Sequence, residues 1–454
     1  MKMNDVATDQ DLENALSDWL IGSLAQIESN FKDLVLAVTD YPRWYVAENG
    51  SFIHLPYMIT YRFNELENLV IKKSVQWKQL EITAKHHPRF AKHLNSMINS
   101  GSMARSYSCV ELCKKLLPAP VPEGQNIKID TKLDVQLTIR NFIDDLNNEN
   151  LKSITVWPIS GARPASPIRL DANTEFRKLT ADEKCHCLNF GMIQSQTSNT
   201  IDANSAQWSG LCYIEEMPKF AQSTSDRFED FQQKFDAKAT LLEDFMSLIP
   251  LYTKAMLHHC GGTSSAANLE LGGIFASGVA GHGMGSQSIH FHFASQDPVI
   301  SEADAPGLIE LWKLLHGPHT GKYQKRVANA ARRVNYSDTR RHPEDMIVDC
   351  MIAAESLYLD DEKNELSFRL SVNAAMWASD NNLERKKIFQ LFKNAYTLRS
   401  KVVHGGSVNV SEVRSIIEPL KKSLRDGILK ALNHVGEQNG YPNWNGMMFP
   451  QNVL

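Results

Sequence analysis

The chain lacks three features that would each assign it to a familiar class of proteins. It has 48 Lys and Arg against 52 Asp and Glu, a net charge of −4, whereas proteins held mainly by phosphate contacts carry a basic excess. Its seven cysteines show no spacing framework, so we expect reduced thiols in a cytoplasmic protein rather than a disulfide scaffold. Its N-terminus is polar and acidic, and no run reaches the roughly 18 apolar residues of a membrane span. We therefore expect neither secretion nor membrane insertion, and any nucleic-acid site must be a local patch.

The length and overall amino-acid composition are those of a globular protein with several domains. The 454 residues are 43% apolar and 22% charged, which suits two or three separate cores. We expect an α+β fold that is predominantly helical. Its predicted parts are a mainly helical region at 1–117, a mixed α+β region at 125–304, an all-α helical bundle at 305–436 and a C-terminal tail at 437–454.

Local patterns in the first region set its predicted elements and its end. Apolar residues at helical spacing predict one amphipathic helix over 10–38. Asn49-Gly50 suits a tight turn, so the aromatic segments at 43–46 and 57–61 predict a hairpin. Three prolines at 118–124 exclude a continuing helix, and we place the first domain boundary there.

The middle and C-terminal regions differ in their strand content. A helical pattern at 132–148 is followed by strand-like runs at 153–157, 211–214 and 288–293. From about Ala305 the strand patterns stop, and helical periods separated by Pro, Gly or polar turns continue to about Val435. This change predicts that the C-terminal region is a helical bundle.

The most informative helix is predicted at 384–404, where Gly405-Gly406 supplies the stop signal. Arg399 falls in the middle of its apolar face, and a permanent charge there is costly unless it meets a carboxylate, a phosphate or a water-filled cleft. His404 lies about 140° further round an ideal helix. The two side chains therefore share a target only if the last turn loosens or a second subunit contributes. Alone, an arginine and a histidine at this spacing are a weak pattern.

Three motifs in a fixed order give this helix a context. They are Asp345–Tyr358 (DMIVDCMIAAESLY), Glu365–Leu370 (ELSFRL) and Leu398–Gly406 (LRSKVVHGG). Together they resemble an Apea-like HEPN domain over about 306–435. The resemblance implies a bundle of four or five helices that dimerises, brings two arginine–histidine motifs into one cleft and cleaves RNA. It also implies a role in defence against phages or as a toxin.

The resemblance implies roles for particular residues. Arg399 and His404 are the expected catalytic pair, and Glu355 and Arg369 occupy the family's other recurrent polar positions. Ser400 is a departure, because many catalytic members have Asn, Asp or His directly after the arginine. No cofactor is implied, and the expected partners are an RNA substrate, a second copy of the chain and a regulatory protein or phage-derived trigger.

The chemistry of the pair suits RNA cleavage without a metal. A histidine titrates near neutrality and can act as acid or base on the 2′-hydroxyl and the leaving oxygen, and an arginine can bind phosphate oxygens bidentately. Glu355 lies in an almost continuous apolar run at 352–358, where an unpaired carboxylate is costly. We expect it to pair with Arg369 or Arg399 and to orient its partner rather than to transfer a proton.

Two basic segments are candidates for binding the RNA backbone. Residues 322–341 hold seven basic side chains against one acidic, although an ordinary solvated helix face explains this charge equally well. Further lysines lie along the helix predicted at 384–404. The predicted RNA contacts are Lys401, Lys393, Arg332, Arg333, Arg340 and Arg341.

No metal site is predicted. Cys185-His-Cys187, with Cys109 and Cys113 upstream, lacks the paired spacing of structural zinc sites. His290 and His292 at 288–293 are more typical of packed or solvated histidines than of ligands.

Two functional hypotheses remain open. The first is a cytoplasmic, dimeric ribonuclease whose N-terminal and middle regions recognise a trigger. The second is a non-catalytic HEPN module, a scaffold for RNA or protein in which Arg399 is a structural charge and Ser400 marks lost activity.

Overall fold

The computed structural model describes most of the chain, with gaps. The described residues are 6–38, 43–47, 49–100, 103–123, 126–129, 133–189, 200–201, 208–220, 227–253, 258–259, 262–266, 279–282, 298–316, 321–360, 364–437 and 440–448. The strand expected at 288–293, with His290 and His292, lies outside them. Within these ranges the fold is mixed α+β and mostly helical, with small, mainly antiparallel sheets. No helix of the described ranges combines the length and apolarity that a membrane crossing requires.

Fifteen helices lie in the described ranges. They are α1 (Asp9–Leu34), α2 (Phe63–Leu66), which continues into a π-helical turn at Glu67–Ile71, α3 (Trp77–His86), α4 (Pro88–Asn95), α5 (Cys109–Lys114), α6 (Val135–Asn147), α7 (Ala181–Asn189), α8 (Arg227–Thr253), α9 (Ala305–His316), α10 (Lys322–Thr339), α11 (Pro343–Tyr358), α12 (Leu366–Ala378), α13 (Asn382–Val403), α14 (Val410–Glu437) and α15 (Trp444–Met448).

The strands of the described ranges are short apart from two. They are β1 (Val35–Val38), β2 (Arg43–Val46), β3 (Phe52–Leu55), β4 (Met58–Tyr61), β5 (Ile98–Ser100), β6 (Met103–Arg105), β7 (Pro120–Glu123), β8 (Asn126–Ile129), β9 (Asn150–Ser160), β10 (Arg163–Pro164), β11 (Ile168–Arg169), β12 (Thr174–Lys178), β13 (Thr200–Ile201), β14 (Ser209–Pro218), β15 (His258–His259), β16 (Gly262–Ala266), β17 (Val279–His282) and β18 (Val299–Ile300).

The chain divides into two compact units. The N-terminal unit comprises 1–160, 173–234 and 259–297, and the C-terminal unit comprises 161–172, 235–258 and 298–454. The helical region predicted from about Ala305 is confirmed, since α9 to α14 follow one another without an intervening strand in the described residues. The C-terminal unit also includes three segments, 161–172, 235–258 and 298–304, of the region that we expected to be separate at 125–304.

The N-terminal unit has a helical core and an antiparallel sheet. Helix α1 begins with a capping box between Thr8 and Asp11, and it buries Leu12, Leu16 and Trp19 completely. The sheet has the strand order β12-β14-β9-β16-β17, with Leu211 of β14 opposite Trp157 of β9. Its two longest strands confirm the runs predicted at 153–157 and 211–214.

Two local predictions in this unit are wrong in part, one in where a helix ends and one in which strand completes a hairpin. The helix expected over 10–38 ends at Leu34, because Val35–Val38 form a strand that pairs with Met58–Tyr61. The turn at Gly50 (φ 77°) is confirmed, but it joins β2 to β3, so the hairpin partner of β2 is Phe52–Leu55 rather than 57–61.

The boundary expected at 118–124 does not separate two units. Pro120–Glu123 pair with Asn126–Ile129 as a hairpin, so the prolines end the helical pattern without ending the unit. Phe142 of α6 then packs edge to face on Phe90 of α4, with ring centroids 5.8 Å apart, in the same core as α1. The core therefore continues past the predicted boundary as far as Leu151.

The C-terminal unit packs its helices around α11. Helix α11 contacts α10, α12, α13 and α14, and its Ala353 and Ala354 are completely buried. Small residues at these positions allow close approach of the neighbouring helices. Gly427 of α14 serves the same purpose, because a Cβ there would lie 2.1 Å from Tyr358 Oη.

The predicted tail is part of this unit rather than an appendage. Trp444 of α15 is buried, and its ring packs edge to face against Trp377 and Tyr358, with centroids 5.6 and 6.4 Å away. Tyr441, just before α15, contacts Tyr323 of α10 at 5.2 Å. The segment after 437 therefore covers the aromatic end of the bundle.

Candidate functional site

Helix α13 carries the predicted catalytic pair and ends where the sequence indicated. Asn381 caps its N-terminus by accepting hydrogen bonds from the backbone of Leu383 and Glu384. His404 is the C-cap residue, and Gly405 follows with φ 75°, a backbone conformation that favours glycine. The Gly406 N–H donates to the carbonyl of Lys401 at 2.8 Å and closes the helix end. The glycines thus fix the place at which His404 leaves the helix.

Arg399 meets an anion, as its position on the apolar face of α13 requires. Its neighbours on that face, Ala395 and Leu398, are buried. Its Nη2 lies 3.6 Å from Glu355 Oε1 on α11, and the two side chains are 25% and 28% exposed. The Arg399 Nε is buried and has no hydrogen-bond partner among the described residues, and the guanidinium lies 6.0 Å from the ring centroid of Tyr396. Glu355 therefore offsets the charge of the arginine without accepting a hydrogen bond from it.

Arg369 is not the partner of Glu355. Its Nη2 forms an ion pair with Asp360 Oδ1 at 2.6 Å, at the other end of the α11–α12 connection. Of the two arginines that we considered for Glu355, the structure pairs it with Arg399. Arg369 instead links the start of α12 to the residue that follows α11 by two positions.

His404 is exposed, and its ring makes no hydrogen bond with any residue of the described ranges. Its backbone N–H donates to the carbonyl of Ser400 at 3.1 Å, so the last turn of α13 keeps its helical hydrogen bond. Ser400 itself is half-buried. Because the last turn has not loosened, Arg399 and His404 remain about 140° apart round the helix. Of the two ways in which they were expected to share a target, loosening of the last turn is not seen, and a contribution from a second subunit stays a prediction.

The arginines predicted to bind RNA on α10 are mostly engaged with carboxylates. Arg333 Nη1 and Arg340 Nε lie 2.9 and 2.7 Å from the two oxygens of Asp349, which is almost completely buried. Arg332 Nε lies 2.6 Å from Asp244 Oδ1. These three are ion pairs within the unit, so the fold already supplies each of these arginines with a carboxylate.

The pKa of Asp244 reflects the strength of its ion pairs. Burial opposes its ionisation, but hydrogen bonds from His316 and Arg332 outweigh the burial and lower the pKa of this carboxyl. The acidic partners Asp244 and Asp349 were missed, although Asp349 sits in the apolar run after Met346 and an isolated carboxylate there requires a cation. That local signal would have predicted that some of the α10 arginines are not free.

The remaining predicted RNA contacts are exposed. Lys393 and Lys401 lie on the solvent side of α13, and Arg341 lies in the exposed connection between α10 and α11. Tyr396 also lies at the site, beside Arg399, and it was not among the predicted site residues.

No metal-binding group is assembled in the described part of the chain, where three or more His, Cys, Asp or Glu side chains never come together. Cys185 donates instead to the carbonyl of Trp44 at 3.2 Å, and Cys187 is buried. Burial raises the pKa of the Cys185 thiol to about 11, so it is neutral at physiological pH.

Comparisons with known proteins found no matching family model, no matching curated protein and no matching solved structure. The resemblance to Apea-like HEPN domains thus stays a prediction that depends on the three motifs.

Proposed function

We propose that the chain is a metal-independent endoribonuclease with a HEPN-type C-terminal bundle, and that it acts as a homodimer. His404 donates or accepts the proton, and Arg399 binds the phosphate oxygens on which charge develops in the transition state. In the dimer, the Arg399 of one protomer and the His404 of its partner face the same phosphodiester. Cellular RNA is the proposed substrate, and defence or toxin action in the cytoplasm is the proposed role.

The observation that supports the proposal is the incomplete pairing of both side chains. Arg399 keeps a quarter of its surface exposed, its contact with Glu355 is long at 3.6 Å, and no described residue accepts a hydrogen bond from its Nε. His404 is exposed on the helix end. A guanidinium that serves only packing is expected to saturate its donors, because a buried unsatisfied donor costs about 1–3 kcal/mol. A phosphate oxygen would supply what Glu355 does not.

A non-catalytic scaffold is the second candidate, and one observation favours it. The Glu355–Arg399 pair is formed within the protomer, and the closed last turn of α13 holds His404 away from Arg399. In that case the bundle binds RNA or protein, and Ser400 marks the loss of cleavage.

The two candidates are separated by sequencing RNA ends after brief expression of wild type, His404→Ala and Arg399→Gln. In cells that express the wild type, the ribonuclease leaves new RNA ends that carry 2′,3′-cyclic phosphates. The purified wild-type protein cuts RNA in the presence of EDTA. It does not cut DNA, which has no 2′-hydroxyl. Each variant is expected to lower the rate on the order of a hundredfold or more. His342→Ala is the matched control, since His342 is another exposed histidine of the same unit. If wild type and His404→Ala give the same RNA ends, the ribonuclease proposal is wrong and the scaffold is favoured.

A further inference from the structure

After its first turn, which contains Glu384, the solvent side of α13 carries positive charge and no acidic side chain. From 385 to 411 the sequence has six Lys and Arg and no Asp or Glu. Lys386, Lys393 and Lys401 are exposed, and on a helical projection each lies within about 60° of His404. We name these three residues the lysine stripe. From Lys386 to Lys401 it extends about 23 Å along the helix axis, and His404 follows three residues later.

Aromatic side chains lie between the lysine stripe and Arg399. Phe389 and Tyr396 are half-buried, and on the same projection they lie about 60° and 80° from His404, on the side toward Arg399. Lys393 Nζ is 5.7 Å from the ring centroid of Phe389. Phe368 of α12 packs edge to face on Phe389 at 6.0 Å and is 56% exposed. We name Phe368, Phe389 and Tyr396 the aromatic flank.

We propose that the lysine stripe and the aromatic flank together bind one strand of RNA along α13, with phosphates on the lysines and bases stacked on the rings. Rows of cations beside exposed aromatic rings are what proteins use to bind single-stranded nucleic acids, because every base has a face that can stack. The bases of a duplex already stack on one another and offer no free face to Phe368. The identity of the strand as RNA, and its scission at the end of the helix, rest on the proposed function.

This surface replaces the arginines of α10 as the substrate track. Arg332, Arg333 and Arg340 are each held by a buried carboxylate, whereas Lys386 and Lys401 have no ion-pair partner among the described residues. Lys387, which lies off the stripe, pairs with Glu384 at 2.7 Å. The stripe also ends three residues before His404, so a bound strand reaches the end of α13 that carries the proposed catalytic pair.

The test measures binding apart from cleavage. The probe is a fluorescein-labelled, single-stranded 2′-O-methyl RNA, which has no free 2′-hydroxyl to attack, and its anisotropy is followed with the full-length chain over a range of salt concentrations. The stripe variant is Lys393→Gln with Lys401→Gln. Its matched control is Lys325→Gln with Lys422→Gln, which removes the same charge from exposed lysines on α10 and α14. Losing two phosphate contacts should flatten the slope of log K against log salt by about 1.4 in the stripe variant alone.

The aromatic part is tested with Phe368→Ala, which should weaken binding of the single strand about fivefold or more. Phe63→Ala is its control, because Phe63 is also exposed and has Lys114 Nζ 4.7 Å from its ring centroid. Circular dichroism verifies that each variant is folded.

The proposal predicts tighter binding of the single strand than of the same strand annealed to its complement. Equal slopes in the stripe and control variants, equal affinities of Phe368→Ala and Phe63→Ala, or binding of the duplex as tight as the single strand would each overturn it. Competition by oligoglutamate as strong as that by the unlabelled single strand would also overturn the proposal, because it would point to an acidic protein partner. If the track is confirmed while the cleavage test fails, the chain is an RNA-binding scaffold. If cleavage is confirmed while the stripe variant binds like its control, only the track is wrong.

Discussion

The contact between Glu355 and Arg399 allows the structural and the functional accounts of this arginine to be compared in one experiment. We consider a double-mutant cycle with Glu355→Gln, Arg399→Gln and the two changes combined, because glutamine removes each charge and keeps much of the side-chain volume. The cycle isolates the energy of the pair from the separate effects of each substitution.

The geometry of the pair predicts a small coupling energy. At 3.6 Å the attraction between unit charges is about 1 kcal/mol in bulk water and about 5 kcal/mol at an effective dielectric constant near 20. Each side chain is about one quarter exposed, and desolvation and the ordering of two flexible chains oppose the attraction. A single long contact of this kind resembles a surface pair, so we expect a coupling of about 1 kcal/mol or less.

The assay is urea denaturation followed by tryptophan fluorescence, comparing the same transition in all four proteins, because a chain of two units need not unfold in one step. A second cycle on Arg177 and Glu183 gives the scale. That pair makes two hydrogen bonds of 2.7 and 2.8 Å with Glu183 almost completely buried, and its coupling should be about 2 kcal/mol or more. A coupling of 3 kcal/mol or more between Glu355 and Arg399 would refute our reasoning, since it would make Arg399 a structural charge.

Three further predictions concern stability, each measured as the free energy of unfolding in urea. Asp349→Asn should cost about 2 kcal/mol or more, because it leaves two arginines facing each other without their carboxylate. Gly427→Ala should cost about 2 kcal/mol or more despite its gain in helix propensity, since the new Cβ would lie 2.1 Å from Tyr358 Oη. Burial lowers the pKa of His93 to about 4, below its unfolded value near 6.5, so its unfolded state binds more protons. Wild type should therefore lose on the order of 2 kcal/mol relative to His93→Gln between pH 7.5 and pH 5.

Each of these has a control in the same chain. Asp345→Asn removes an exposed carboxylate of the same helix as Asp349 and should change stability little. Gly440→Ala adds a Cβ with no atom of the described residues within 4 Å, at a position outside the helices, and should be nearly neutral. A stability difference between wild type and His93→Gln that stays constant across the pH range would contradict the assignment of His93 as a neutral, buried group.

Features with a local cause were predictable from the sequence. The end of α13 follows from Gly405, which adopts the positive φ that favours glycine, and the turn at Gly50 has the same origin. The need of Arg399 for an anion follows from its place on an apolar helix face, and Arg399 was one of the two partners expected for Glu355. These inferences use only helical spacing and the cost of burying a charge.

Features that depend on distant partners were not predictable in the same way. Val35–Val38 continue the apolar spacing of α1, and only their pairing with Met58–Tyr61 makes them a strand. Arg332 looked free because its carboxylate, Asp244, lies 88 residues earlier in the chain. A basic segment of sequence gives the number of its charges, but not which of them a fold neutralises.

The packing of Trp444 has a practical consequence for work on the bundle in isolation. The three motifs indicate a module that stops near Val435, and a fragment cut there would lack the indole that covers Trp377 and Tyr358. Two large rings would then face water, and such a surface promotes self-association. Oligomers formed by that fragment would report on the missing Trp444 rather than on the proposed dimer, so dimerisation should be measured on polypeptides that extend through Met448.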